Sequence, residues 1–405
     1  MKCGLLGRKL GHSYSPQIHS HLGAYSYDLF EKEPDEIGDF LKNGDFSAIN
    51  VTIPYKKDVI PFLDELTPVA QKMGAVNTVV RRGGKLIGHN TDNFGFSYML
   101  QRSGLQVTGK KVLVLGSGGA SNTVVMVLKE AGANVVVISR SGENNYGNLH
   151  LHGDASVIVN TTPVGMYPNP GTSPLSLDGF PHLEGVLDLI YNPARTKLLL
   201  DAADRGLVAC NGLSMLVAQA KEAAEWFLNQ PLEDKLIEKI HDKLCASMEN
   251  VVLVGMPGCG KSTVGRLLAQ KLGMPFLDAD EALVNDTGIT IPEIFSQFGE
   301  AHFRKLETQT LAKLGMRSGT VIATGGGCVT REENYRLLHQ NGRIVWITRD
   351  LQLLATDGRP LSQTHSAQAL WQLREPLYRR FADVHVENHE TPEATALKIL
   401  ELLGR

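Results

Sequence analysis

Two glycine-rich loops carry the clearest chemistry in these 405 residues. In the second, Gly255-Met256-Pro257-Gly258-Cys259-Gly260-Lys261-Ser262 fits G-x-x-x-x-G-K-[ST], with the apolar run VVLV before it and the amphipathic stretch STVGRLLAQKLG at its end. Such a loop turns backbone N–H groups toward phosphate oxygens at a helix N-terminus; Lys261 can reach the β- and γ-phosphates and Ser262 can ligate Mg²⁺. Gly255, Gly258, Cys259, Gly260, Lys261, Ser262 and Thr263 are therefore expected around a nucleoside triphosphate. The first loop, Gly116-Ser117-Gly118-Gly119-Ala120-Ser121, follows KVLVL and precedes a helical stretch and a second strand, the order of a dinucleotide-binding unit. At the end of that second strand an NAD site usually has an acid for the ribose hydroxyls, and here stand Ser139 and Arg140. A cation suits a 2′-phosphate, so this loop, with Gly116, Gly118, Gly119, Ala120, Ser139 and Arg140, is expected to hold NADP(H) rather than NAD(H).

Each loop needs a strand before it and a helix after it. The β-branched runs VLVL, VVVIS and VVLVG alternate with helical stretches and are apolar on both faces, which predicts parallel-sheet α/β structure in both halves. Between Gly212 and Leu244, Leu213, Leu216, Val217, Ala220, Ala223, Ala224, Phe227, Leu228, Leu232, Leu236, Ile240 and Leu244 recur at helical spacing. One or two closing helices are expected there, with a domain boundary near residue 248. Before it, 1–97 together with 212–247 should form one lobe and 98–211 the dinucleotide-binding lobe, with a cleft between them; 248–405 should form a separate domain. Residues 163–181, rich in Pro, Gly and Asn, should be a loop.

Composition excludes several classes. With 42% hydrophobic and 20% charged residues the chain is globular and long enough for two or three cores. Forty basic against 43 acidic residues leave no cationic excess for a nucleic-acid backbone. No apolar run approaches the roughly 20 residues of a membrane span, and Arg8 and Lys9 interrupt the start, so a cytoplasmic chain is expected. Five cysteines, at 3, 210, 245, 259 and 328, have neither disulfide nor zinc spacing, and His12, His19 and His21 lack regular ligand spacing. Small molecules are the expected partners; self-association is left open.

Residues 250–405 resemble shikimate kinases through FLDAD (276–280), FGEAHFRKLE (298–307), ATGGGCV (323–329), GRPL (358–361) and LREPLYRRFADV (373–384). The resemblance implies a P-loop domain of the nucleoside-monophosphate-kinase type that uses Mg·ATP. It implies that Asp280 holds and deprotonates the 3-hydroxyl of shikimate and that Asp278 supports Mg²⁺ through water. It implies that Arg304 and Arg374 grip the substrate carboxylate, that Gly325, Gly326 and Gly327 let the ring lie against backbone, and that Arg359 reaches the transferring phosphoryl.

Residues 1–247 resemble shikimate dehydrogenases through GHSYSPQIH (11–19), NVTIPYKK (50–57), GAVNTV (74–79), GHNTDNFG (88–95), NTTPVGM (160–166), DLIYNPARTKLL (188–199) and NGLSMLVAQA (211–220). This implies a two-lobed protein with a Rossmann lobe. Ser13 and Ser15 would bind the substrate carboxylate, Asn77, Gln219, Thr52 and Tyr191 the ring, and Gly212 would border the cofactor. Lys56 and Asp92 would form the catalytic pair: reducing a ketone creates an alkoxide, which an ammonium stabilises and protonates while a carboxylate fixes the ammonium. Two departures stand out. Residues 141–160 are shorter and more polar than the usual helix–strand segment, and between Arg349 and Arg359 the customary additional arginine is missing. The combined reading is an enzyme that reduces 3-dehydroshikimate with NADPH and then phosphorylates shikimate. The sequence leaves open a first half that only binds ligand, or one that prefers quinate, because one or two pocket side chains decide a single hydroxyl.

Overall fold

The computed structural model describes residues 1–11, 13–354 and 367–405. They divide into two compact units, one of Met1–Met166, Gly171–Tyr191 and Leu198–Lys243, the other of Tyr167–Pro170, Asn192–Lys197 and Leu244–Arg405.

The first unit holds two sheets. One has strands β1 (Lys2–Gly7), β2 (Ser26–Glu31), β3 (Ala48–Val51), β4 (Glu65–Leu66), β5 (Thr78–Arg82) and β6 (Lys85–His89) in the order β2-β1-β3-β5-β6-β4. It is mixed, which corrects the expectation of parallel sheets throughout. β1 runs parallel to β2 and β3, but β5 is antiparallel to both β3 and β6. The cause is local: Gly83 and Gly84, at φ 57° and 79°, make the two-residue turn whose twist matches a hairpin, and no crossover helix separates β5 from β6. Around this sheet lie α1 (Ser15–His19), α2 (Ile37–Asn43) and α3 (Pro68–Met73), while α4 (Asp92–Ser103), which follows β6, packs Phe96, Met99 and Leu100 into the core of the other sheet.

The other sheet is parallel throughout its described strands. β7 (Lys111–Leu115), β8 (Asn134–Ile138), β9 (Val157–Asn160), β10 (Gly185–Asp188) and β11 (Val208–Asn211) take the order β11-β10-β9-β7-β8. α5 (Gly119–Glu130) follows β7, and α6 (Lys197–Asp204) precedes β11. Between β8 and β9 there is no α-helix, only a 3₁₀ turn at Leu149–His152. Asparagine side chains hold this stretch together: Asn148 Oδ1 accepts from the Asn145 N–H, and Asn148 Nδ2 donates to the Glu143 carbonyl. The sheet face is covered instead by Leu175, Leu177, Phe180 and Leu183 from the irregular segment further on, packed with Leu198 and Leu199 against Leu113, Leu115, Ile138 and Ile158. The closing region is two helices, α7 (Leu213–Leu228) and α8 (Lys235–Met248). α7 returns to the first sheet, where Ala223 and Phe227 pack on Cys3, Ala48 and Val80.

In the second unit β12 (Asn250–Val254), β13 (Phe276–Asp278), β14 (Val321–Ala323), β15 (Gly342–Thr348) and β16 (Val384–Glu387) form a parallel sheet ordered β13-β14-β12-β15-β16. Its helices are α9 (Lys261–Leu272), α10 (Ala279–Thr287), α11 (Ile291–Gly315), α12 (Glu333–His339), α13 (Ala367–Phe381) and α14 (Pro392–Leu402). Alternate residues of the strands feed two cores. Val252, Val254, Ile322, Ile344 and Trp346 face one, while Val251, Leu253, Val321, Val345 and Ile347 face the other, so both faces are covered, as the apolar runs require.

Candidate active sites

A cavity of about 400 Å³ opens in the first unit beside the carboxyl ends of β1 and β3. Ser13, Ser15, Thr52, Lys56, Asn77, Tyr191 and Gln219, seven residues singled out in the sequence, all line it. Five different pieces of chain deliver them, Tyr191 coming after β10. Ser13 and Ser15 come at the start of α1, where the Ser15 N–H donates to Ser13 Oγ; Thr52 and Lys56 follow β3, Asn77 precedes β5, and Gln219 stands on α7.

Asp92 is the first residue of α4, where the helix dipole favours a carboxylate. It is buried, and its Oδ2 accepts from Lys56 Nζ at 2.7 Å. Asn77 holds the other oxygen: its Nδ2 donates to Asp92 Oδ1 at 2.9 Å and to Thr91 Oγ1 at 3.0 Å, while its Oδ1 accepts from the Thr91 N–H. Both N–H groups of Asn77 are thus already in use, and the side chain acts on Asp92 as much as on the cavity. A fixed carboxylate next to a half-buried ammonium is an arrangement that can pass a proton to a nascent alkoxide.

Beneath this cavity lies a residue whose part the sequence did not reveal. His19 is fully buried, stacks on Tyr27 with ring centroids 4.0 Å apart, and shares a 2.7 Å hydrogen bond through Nδ1 with Tyr25 Oη. Burial drives its pKa down to about 3, so the ring is neutral. Tyr27 in turn donates to Asn50 Oδ1 at 2.8 Å. The legible signal was spacing, since His19 stands four residues after Ser15 and so on the same side of the short helix.

The glycine loop after β7 is exposed at Gly118, Gly119 and Ala120, and a Cβ added at Gly118 or Gly119 would meet nothing within 4 Å. Gly116 is different: at φ 106°, its Cβ would lie 2.8 Å from Thr161 Oγ1. The open side of the loop, the N-terminus of α5 and the exposed Arg140 past the end of β8 fit a phosphorylated dinucleotide. Ser139 is half-buried, its N–H bonded to the Asn144 carbonyl. Gly212 is buried against the Leu189 carbonyl, 2.1 Å from a hypothetical Cβ, so packing alone demands glycine there.

In the second unit the loop between β12 and α9 takes the expected turn. Lys261 is buried, its Nζ donating to the carbonyls of Gly255 and Met256 at 2.9 and 3.0 Å. Ser262 Oγ donates to Asp278 Oδ2 at 2.6 Å, which sets together the hydroxyl and carboxylate oxygens that suit Mg²⁺. Asp278 also caps α10 by accepting from the Asp280 N–H. Cys259 is buried and Thr263 exposed.

Gly325, Gly326 and Gly327 are packed so closely that side chains are excluded. A Cβ would lie 2.6 Å from Glu307 Oε1 and 2.9 Å from Asp280 Oδ1 at Gly325, 2.6 Å from Pro257 at Gly326, and 2.2 Å from the Arg304 guanidinium at Gly327. Arg374 Nη1 donates to the Gly326 carbonyl at 3.2 Å, as does Tyr378 Oη. Arg304 is less free than the sequence suggests. Its Nη1 donates to Glu307 Oε2 at 2.9 Å, and its Nε and Nη2 to Glu300 Oε1, so three of the five N–H groups of an arginine are held by glutamates. Glu307, buried and with no hydrogen bond to Oε1, has its pKa raised by burial, against the pull of Arg304 and with the help of Asp280. Glu300 and Glu307 went unremarked in the sequence, although FGEAHFRKLE places them four residues before and three after Arg304, on one helix face. Arg359 lies outside the described residues.

Comparison with known proteins agrees with this geometry. The family model for shikimate kinase matches residues 257–404, and that for the shikimate dehydrogenase substrate binding domain matches residues 5–79. A shikimate dehydrogenase (NADP(+)) of Clostridium perfringens strain 13 is 36% identical over 263 residues, which cover 60% of this chain and 97% of that protein. Among solved structures, shikimate dehydrogenase 1 of Peptoclostridium difficile matches with 35% identity and a TM-score of 0.55, over 60% of this chain and 97% of that one. Shikimate 5-dehydrogenase of Thermus thermophilus in complex with NADP(H) and shikimate matches with 31% identity and a TM-score of 0.54, over 60% and 99%.

Proposed function

The chain belongs to the shikimate dehydrogenase family and carries a shikimate kinase domain in the same polypeptide, and from that premise we propose how its side chains divide the work of a bifunctional shikimate-pathway enzyme. The observation that carries the first assignment is the Lys56–Asp92 contact at 2.7 Å on the edge of a cavity lined by Ser13, Ser15, Thr52, Asn77, Tyr191 and Gln219. Ser13 and Ser15 hold the carboxylate of 3-dehydroshikimate, and Thr52, Asn77, Tyr191 and Gln219 orient the ring. Lys56 donates the proton to the oxygen of the reacting carbonyl, with Asp92 fixing the ammonium and Asn77 fixing Asp92. NADPH, held by Gly116, Gly118, Gly119, Ala120, Ser139, Arg140 and the neighbourhood of Gly212, supplies the hydride when bound. Arg140 faces the 2′-phosphate, which selects NADP(H).

In the second unit Asp280 takes the proton of the 3-hydroxyl of shikimate. Arg304, stiffened by Glu300 and Glu307, and Arg374 bind the shikimate carboxylate against Gly325, Gly326 and Gly327. The backbone of Gly255, Gly258, Cys259 and Gly260, with Lys261, Ser262 and Thr263, holds ATP; Ser262 and, through water, Asp278 hold Mg²⁺. Arg359 is assigned to the transferring phosphoryl. Positioning and charge stabilisation of this kind are most of what phosphoryl transfer requires.

The domains proposed are 1–247 and 248–405, the first with lobes 1–97 plus 212–247 and 98–211. We place the chain in the cytoplasm, and no helix among the described residues is long and apolar enough to cross a membrane. The test is substrate preference. Purified chain with NADP⁺ should oxidise shikimate and give 3-dehydroshikimate, identified by chromatography, at a higher kcat/KM than quinate; a preference for quinate would overturn the substrate assignment.

A further inference from the structure

Asn388, the residue after β16, is 5% exposed, and nothing in the binding scheme above uses it. Its Nδ2 donates to the Cys259 carbonyl inside the phosphate loop at 2.8 Å, and its Oδ1 accepts from Thr395 Oγ1 at 2.9 Å. The orientation of the amide is fixed by chemistry: a carbonyl oxygen only accepts, so the NH₂ group must face Cys259 and the oxygen must face the hydroxyl. Neither partner can drift. The Asn388 N–H donates to the Thr348 carbonyl at 2.7 Å, and Thr395, 3% exposed, is held in the first turn of α14, where its N–H donates to Thr391.

In a trans peptide the carbonyl and the following N–H point in opposite directions. A donor that pins the Cys259 carbonyl therefore turns the Gly260 N–H away from Asn388. The approach is close enough to dictate the residue type: a Cβ on Gly260 would lie 2.5 Å from Asn388 Nδ2, and Gly260 has φ 101°, a conformation side chains disfavour. We propose that Asn388 is a positioning residue for the kinase reaction, bracing the 259–260 peptide so that the Gly260 N–H is presented to the nucleotide phosphates. This rests on reading residues 255–262 as the ATP loop. Flipping that peptide would replace a donor by a carbonyl dipole pointing at anionic oxygen, so the loss should fall on ATP rather than on shikimate.

The test uses the full chain. Asn388→Asp keeps size and shape but sets a carboxylate oxygen against the Cys259 carbonyl, and it should raise the KM for ATP roughly ten-fold or more, the scale of leaving a buried partner unsatisfied. The KM for shikimate and the dehydrogenase activity of the same chain should stay unchanged. Thr395→Val, which removes the bond that steers the amide together with the bond of the same hydroxyl to the Thr391 carbonyl, should move the ATP KM in the same direction by less, and it serves where Asn388→Asp fails to fold. A role in packing alone requires Asn388→Asp to behave as wild type. An unchanged ATP KM in both variants, or an equal rise in the shikimate KM, would overturn the brace. A wild-type chain that phosphorylates nothing with ATP would instead overturn the reading of the loop itself.

Discussion

Lys56 owes its role to what surrounds it. Its ammonium meets Asp92, Asp92 meets Asn77, and Asn77 is tied to Thr91, so the proposed proton donor is held by a chain of groups rather than by one ion pair. Lys56→Ala should lower dehydrogenase kcat by at least about 10²-fold, the low end of what one positioned acid or base contributes, as read by NADPH absorbance. His19 makes a second prediction. Its folded pKa of about 3 lies below the ordinary value of 6.5, so the unfolded chain binds the extra proton and stability is lost as pH falls through that interval. Denaturant unfolding of the first unit should therefore show up to about 1.4 kcal/mol less stability per pH unit below pH 6.5 than in His19→Phe. Parallel pH profiles for the two proteins would show that His19 does not stay neutral. Side chains sitting in short motifs were legible in the sequence. Asn388 was not, because its part depends on burial and on a partner 129 residues away, which no local spacing reveals; for His19, Glu300 and Glu307 spacing showed the shared helix face but not the burial or the ion pairs that set their parts.

At the scale of elements, the loop–helix junctions were readable because glycine and β-branched runs determine them, whereas the mixed sheet was not. The turn Gly83-Gly84 between TVVRR and KLIGH was its signal, and the β-rich runs elsewhere masked it by suggesting crossovers throughout. Past β8 the missing helix leaves Arg140 exposed, with the Arg140 charge felt by Tyr146 in the loop that replaces the helix. Arg140→Ala should weaken apparent NADP(H) affinity roughly ten- to hundred-fold, as loss of a charge-assisted hydrogen bond does, with a much smaller effect on NAD(H). Equal losses with the two cofactors would make Arg140 a structural residue. The triple-glycine turn is an element in the same sense. Gly327→Ala forces its Cβ into the Arg304 guanidinium, and because Arg304 is anchored by two glutamates it cannot retreat freely. The KM for shikimate in the kinase assay should rise while the KM for ATP holds; the reverse pattern would take Arg304 out of the substrate site.

At the scale of the whole molecule, the two sets of proposed site residues, Arg359 aside, lie in separate compact units, one on each side of residue 244 apart from two short segments. A chain of this kind should run two reactions that one substitution at a time can switch off independently. The most direct measurement follows NADPH absorbance and ADP release in parallel, for wild type, Lys56→Ala and Lys261→Ala, each supplied with 3-dehydroshikimate, NADPH and Mg·ATP, then with shikimate and Mg·ATP alone. Wild type should oxidise NADPH and release ADP from 3-dehydroshikimate. Lys56→Ala should do neither until shikimate is added, then release ADP at the wild-type rate, and Lys261→Ala should oxidise NADPH normally and release no ADP from either substrate. If Lys56→Ala still oxidised NADPH at the wild-type rate, or if either variant lost both activities, the division of the chemistry between these two sites would be contradicted.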